Sequence, residues 1–208
     1  MNYVRKPFIL IMGKSGSGKT TETLLSKLPC VNSYTTRPAR YEGETGHTFV
    51  TEEAFPPTSE QIAFTEFNGY KYCATYQQIS DSALYVIDPD GAIEFIPKFR
   101  SKLANSYRQL ICIYIETSPF VRFKRMVQRG DGIRHAIGRI KHDRRKFKSL
   151  NEIEKLQQNC FPPLILLKVK NNYSKKYAGT IAKYLNTIYN YCTNLSLRDA
   201  QEVQNEET

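Results

Sequence analysis

The feature that most constrains this chain is an apolar run, Phe8-Ile9-Leu10-Ile11-Met12, that ends directly on Gly13-Lys14-Ser15-Gly16-Ser17-Gly18-Lys19-Thr20. Five apolar residues in a row read as a strand buried on both faces, and residues 21–28 after the glycines are compatible with a helix. Strand, Gly-rich loop and helix in that order describe a phosphate-binding loop. The glycines let successive N–H groups curve into a nest for a β-phosphate, Lys19 reaches the β/γ oxygens, and the Thr20 hydroxyl can join the shell of Mg²⁺. A purine nucleoside triphosphate is the expected ligand. An ordinary Gly/Ser-rich turn would need neither the strand nor the helix.

At 208 residues the chain is long enough for one α/β domain with inserts. No apolar stretch approaches the ~20 residues of a membrane span, and the N-terminus leads into the first strand without a signal-peptide cleavage region, so a soluble cytoplasmic protein is expected. The five cysteines (Cys30, Cys73, Cys112, Cys160, Cys192) are odd in number and scattered, as are the three histidines. Reduced thiols are expected, with neither a disulfide framework nor a zinc site.

The formal charge of +10 is concentrated: between residues 119 and 150, eleven lysines and arginines stand against Asp131 and Asp143 alone. Three readings remain for this segment: a lid whose arginines close over polyphosphate, a basic face for nucleic acid, or a solvated helix surface. The phosphate loop in the same chain favours the lid. Nucleic acid is the weakest partner, because only Phe120, Phe123 and Phe147 are available for stacking.

Along the chain, strands alternate with helix-length segments. Strands are expected near residues 31–35, 84–88, 110–115 and 164–169, and helices over 92–103, 120–129 and 174–191. An irregular insert is expected over 37–79. The pattern predicts an α/β phosphate-loop core, a parallel sheet flanked by helices, spanning residues 1–32 and 83–194; the arginines of the insert at 33–82 make it a candidate acceptor-binding subdomain, and the basic segment leaves a lid candidate at about 130–150. Residues 195–208 are polar and read as a frayed tail.

Within the insert, Arg37 and Arg40 lie three apart in a turn-forming segment, a spacing with which two guanidinium forks can grip one phosphate from two sides. Their context, Ser33-Tyr34-Thr35-Thr36-Arg37-Pro38-Ala39-Arg40 followed by Gly43-Glu44-Thr45-Gly46 and His47-Thr48-Phe49-Val50, resembles the acceptor-binding segment of the guanylate kinase family. Asn68-Gly69-Tyr70-Lys71-Tyr72-Cys73-Ala74-Thr75 is similar to that family's G-x-x-Y-G-[ST]. Tyr85-Val86-Ile87-Asp88-Pro89-Asp90 looks like its strand ending in D-x-D, and Arg125 to Gly130 like the R-x-x-x-R-G that opens its lid. The resemblance runs in order over more than half of the chain.

The resemblance implies that Arg37, Arg40 and Tyr72 bind the acceptor phosphate, and that Ser33 with Asp88 or Asp90 faces the acceptor base. Asp88 would also sit near Mg²⁺ with Thr20. Lys19, Arg125, Arg129 and Arg139 become the catalytic set, and Gly13, Ser15, Gly16, Ser17, Gly18, Lys19, Thr20 and Thr21 the ATP site. The implied reaction is transfer of the γ-phosphoryl of ATP to GMP or dGMP with Mg²⁺; the partners are then ATP and a nucleoside monophosphate, with no membrane, and the oligomeric state stays open. The chain departs from the family at base recognition. His47 stands where the family has a tyrosine, Ala63 where it has a glutamate, and Cys73-Ala74 replace Gly-[ST]. Ala74, two residues past Tyr72, is expected to face the same cleft. Another nucleotide, or a phosphorylated sugar such as ribose bisphosphate, is therefore an alternative acceptor. A non-catalytic interaction module is the alternative of a different class; it could dispense with Lys19 and the lid arginines, which this chain retains.

Overall fold

In chain order the elements are β1 (Phe8–Gly13), α1 (Lys19–Ser26), β2 (Ser33–Thr35), β3 (His47–Phe49), β4 (Gln61–Phe67), β5 (Tyr70–Thr75), α2 (Tyr76–Ser80), β6 (Leu84–Val86), α3 (Pro89–Lys102), β7 (Leu110–Glu116), α4 (Pro119–Gln128), α5 (Ile133–Lys146), α6 (Leu150–Asn159), β8 (Ile165–Lys170) and α7 (Thr180–Glu206). The computed structural model describes residues 6–39, 41–67, 69–102, 109–159, 164–172 and 178–206. Arg40, Asn68, Cys160 and the expected helix ends Leu103 and Ser174 lie outside them.

The apolar runs form a parallel sheet in the order β6-β1-β7-β8, with Ile9 beside Leu84 on one side and Ile111 on the other. Side chains alternate across a strand, so β1 feeds two cores. Phe8, Leu10 and Met12 join Phe95 and Phe99 of α3 and Ile153 of α6, while Ile9 and Ile11 meet Ile181 and Leu185 of α7 on the opposite face. The five apolar side chains of β1 are fully buried, each contributing about 1.5–3 kcal/mol before entropy is counted. The sheet flanked by helices is the architecture expected from the sequence.

The insert expected to be irregular over 37–79 is not so throughout: its strands, with β2, build a second sheet, order β3-β2-β5-β4, in which β2 pairs parallel to β3 and antiparallel to β5. The strand expected near residues 31–35 belongs to this sheet. Its three-residue strands mix aromatic and polar side chains, too short a stretch for a period of two to emerge. The expectation of a frayed tail from residue 195 is also corrected, because α7 continues to Glu206. No glycine or proline follows Gly179, so nothing in the chain stops the helix from propagating. Its first turn is fixed by Glu22 of α1, whose buried carboxylate accepts the N–H groups of Gly179 (3.1 Å) and Ala182 (2.9 Å).

Candidate active site

The loop after β1 is held in shape by three neighbours. A Cβ on Gly13 would lie 2.6 Å from Ser17 Oγ and 3.0 Å from the Ile115 carbonyl; on Gly16 it would meet the Arg122 carbonyl at 2.9 Å, and on Gly18 the Asn171 amide at 2.6 Å. Gly16 and Gly18 also take positive φ, +75° and +96°. Glycine is therefore required both by conformation and by the closeness of β7, α4 and the end of β8. Gly18 is the N-cap of α1 and offers it no side-chain cap, which leaves the helix N-terminus to an anion.

Lys19 opens α1 half-buried, its ammonium folded under the loop with Nζ donating to the carbonyls of Gly13 and Lys14. Burial pushes its pKa down from 10.5 to about 8, with Asp143 opposing and Arg122, Arg129 and Arg139 adding to the fall. The ammonium thus sits among the arginines of the basic segment. Thr20 and Thr21 are exposed on the first turn. Arg125 donates to the carbonyls of Gly16 and Ser17 at 3.4 and 3.3 Å and to Asn171 Oδ1 at 3.3 Å. Arg129 lies further out, in a bidentate pair with Asp131 that raises its pKa. Arg139 is half-buried on α5.

Four residues of this site escaped the sequence reading: Thr117, Arg122, Asp143 and Asn171. Asn171 Nδ2 donates to the Ser17 carbonyl at 2.8 Å, and the Thr117 hydroxyl reaches the Asn171 and Ser17 carbonyls at 3.2 and 3.4 Å. Both follow the carboxyl ends of core strands, the one signal that could have found them. Arg122 and Asp143 carried no such signal, being single charges in a long basic run.

On the second sheet the structure brings Ser33, Arg37 and Tyr72 together. Ser33 Oγ and His47 Nδ1 are 2.9 Å apart, and the His47 ring meets Tyr72 edge-on at 5.6 Å. Arg37 donates through Nη1 and Nη2 to Glu44 Oε2 and Oε1 at 3.2 and 2.9 Å and through Nη1 to the Pro38 carbonyl at 2.8 Å, and its guanidinium lies over the Phe49 ring. Its Nε is buried with no hydrogen-bond partner among the described residues. Asp88 caps α3 through the Gly91 N–H (2.9 Å), and its other oxygen pairs with Lys146 at 3.0 Å; Asp90 accepts from the Ser149 hydroxyl. The basic segment thus reaches both aspartates. Ala63, Cys73 and Ala74 are at most 5% exposed, and Ala63 and Ala74 belong to the apolar core. The expectation that Ala74 faces the cleft is corrected: although it shares the strand face of Tyr72, it lies where β5 enters the core.

A magnesium ion carried in on phosphates needs only one or two protein oxygens; Thr20 is exposed on the first turn of α1, while Asp88 has its two oxygens on the Gly91 N–H and on Lys146. Among the described residues no cluster of three or more His, Cys, Asp and Glu could hold a metal by itself. Among them, too, no helix is long and apolar enough to cross a membrane.

The fold defined by this sheet and loop is a phosphate-loop kinase fold. The chain superposes on guanylate kinase from Anaplasma phagocytophilum with a TM-score of 0.51 and 22% identity, over 89% of this chain and 87% of that one. A gluconokinase from Sinorhizobium meliloti 1021 covers 94% of this chain at 14% identity, with a TM-score of 0.44. No protein-family model and no curated protein sequence matches the chain. At such identities the likeness to guanylate kinase establishes the fold.

Proposed function

We propose that this chain is a nucleoside monophosphate kinase, transferring the γ-phosphoryl group of MgATP to a nucleoside monophosphate, with GMP or dGMP as the first reading. The observation that carries it is the loop: three glycines pressed by β7, α4 and Asn171, an uncapped α1 and a half-buried Lys19 ringed by arginines. An ordinary solvated surface would have no use for a half-buried lysine with Arg125, Arg129 and Arg139 gathered near it; a triphosphate would.

In this reading the nest and Lys19 hold the β- and γ-phosphates, Arg125 stays beside Asn171 at the donor, and Arg129 and Arg139 neutralise charge spreading over the transferred group. Thr20, and Asp88 on release from Lys146, would hold magnesium, which would supply charge neutralisation to the phosphates. Ser33, Arg37 and Tyr72 orient the acceptor, whose phosphate oxygen forms the new bond to the γ-phosphorus as the bond to the bridging oxygen breaks and ADP leaves. That oxygen is already nucleophilic, so no general base is needed and His47 is left to orient Ser33.

A second reading of the acceptor rests on the burial of Ala63 and Ala74 in the core. With those side chains turned away from a base, another (deoxy)nucleotide or a phosphorylated sugar such as ribose bisphosphate becomes the acceptor. A coupled ADP-release assay across nucleoside monophosphates and sugar phosphates tests both. Acceptor-dependent ADP release with GMP supports the first, and with a sugar phosphate alone the second. No release with any acceptor overturns the kinase.

A further inference from the structure

Ser15 is the third residue of the phosphate loop, and it is gripped from both ends of its backbone. Asp143 Oδ2, on α5, accepts the Ser15 N–H at 2.8 Å, and Asp143 Oδ1 accepts the Ser15 hydroxyl at 3.3 Å. Arg122, on α4, donates through Nε to the Ser15 carbonyl at 2.8 Å and through Nη2 to Asp143 Oδ2. The pair is closed off from water, with side-chain exposures of 3% and 9%. Arg122 also presses on the loop with its backbone, since its carbonyl lies where a Gly16 side chain would be.

Two roles could be imagined for a carboxylate on a phosphate-loop amide. As a stand-in for phosphate it would leave when nucleotide arrives, stranding the buried Arg122 without its counter-charge. Burial of both partners, and their shared hold on one residue, argue for a permanent device. We propose that Arg122 and Asp143 form a positioning clamp that holds Ser15 and, through it, the curvature of the nest, so that the two basic helices set the affinity of the loop for nucleotide phosphates. The proposal rests on the reading of this loop as a nucleotide site. Asp143 removes the Ser15 N–H from the donors left for phosphate and fixes the direction of those that follow. Arg122 neutralises the carboxylate, so a tetra-anion can bind close by. Neither residue touches the reacting atoms; each acts through Ser15.

The test is an equilibrium titration of the full chain with MgADP by calorimetry, which needs no acceptor and no turnover. It compares wild type with Asp143→Asn, Asp143→Ala and the double variant Arg122→Met/Asp143→Leu. Asp143→Asn keeps an acceptor for the Ser15 amide and loses the ion pair. The double variant leaves no buried charge unpaired, and should unfold at close to the wild-type temperature even where Asp143→Ala does not fold well. The clamp predicts MgADP affinity lowered about ten-fold or more in the double variant and in Asp143→Ala, with Asp143→Asn between them and wild type. In steady state, KM for ATP should rise in step while KM for the acceptor stays within about two-fold. Affinity within about two-fold of wild type in the folded double variant overturns the clamp, as does tighter binding in Asp143→Asn, which would mark the carboxylate as a competitor of phosphate. A wild type that binds no nucleotide, and is unaffected by Lys19→Ala, overturns the site itself; a wild type that binds, with Lys19→Ala weak and the double variant unchanged, sinks the clamp alone.

Discussion

Asp143 and Ser15 stand 128 residues apart in sequence and meet at 2.8 Å, carboxylate oxygen to backbone nitrogen. Three residues further along α5, about 4.5 Å of helix rise, Lys146 pairs with Asp88 at 3.0 Å. One helix of the basic segment therefore spans the phosphate loop and the strand end that the acceptor base would face.

Replacing Lys19 with alanine should lower kcat/KM by about 10²-fold or more, because the β/γ charge loses a cation aimed from a buried position. Turnover within a few-fold of wild type, in a protein that unfolds normally, would remove the loop from the mechanism.

The same lysine gives a pH signature without substrate. Its pKa is near 8 when folded and 10.5 when unfolded, so between those values the unfolded chain binds the extra proton and stability rises with pH. Below about pH 8 the cost of burying the charge is present in full. Relative to Lys19→Met, the ligand-free wild type should gain up to about 3 kcal/mol between pH 8 and pH 10.5. Taking the difference removes the opposing effect of Cys73 and Cys112, whose thiols burial pushes up to about 12. Urea unfolding of both proteins at several pH values measures it, and parallel curves would contradict the buried ammonium.

Arg37 and Glu44 act as a unit in the structure, so their variants should behave alike. Arg37→Ala is expected to raise the acceptor KM about ten-fold or more while leaving KM for ATP nearly unchanged. Glu44→Ala removes the carboxylate pair from the guanidinium, leaving it the Pro38 carbonyl, and should raise the same constant by loss of orientation. Equal weakening of donor and acceptor in initial-rate measurements would mean a folding defect instead.

Ala74→Ser tests how the second sheet enters the core. Ala74 is fully buried among apolar side chains, and a hydroxyl there without a partner should cost about 1–3 kcal/mol of stability. Denaturant midpoints decide it; an unchanged midpoint together with improved use of GMP would put this residue in the acceptor cleft after all.

The sequence by itself determined the parallel core and the phosphate loop. Both are local: a run of buried apolar residues, glycines at fixed offsets and a lysine at the start of a helix declare themselves within about twenty positions. Gly13, Gly18 and Lys19 could be read with no knowledge of what surrounds them, and the Ser33–Arg37–Tyr72 group through its resemblance to a known segment. What only the tertiary structure decided was pairing at a distance. The strands of the second sheet are three to seven residues long and hold together through cross-strand hydrogen bonds, which leave no period in the chain. Glu44 turned out to hold Arg37, the core took Ala63 and Ala74, and α7 ran on through an expected tail because nothing broke it. Arg122 and Asp143 are the plainest case: among so many charges neither stood out, and only the packing of α4 and α5 on Ser15 withdrew those two from water and made them partners.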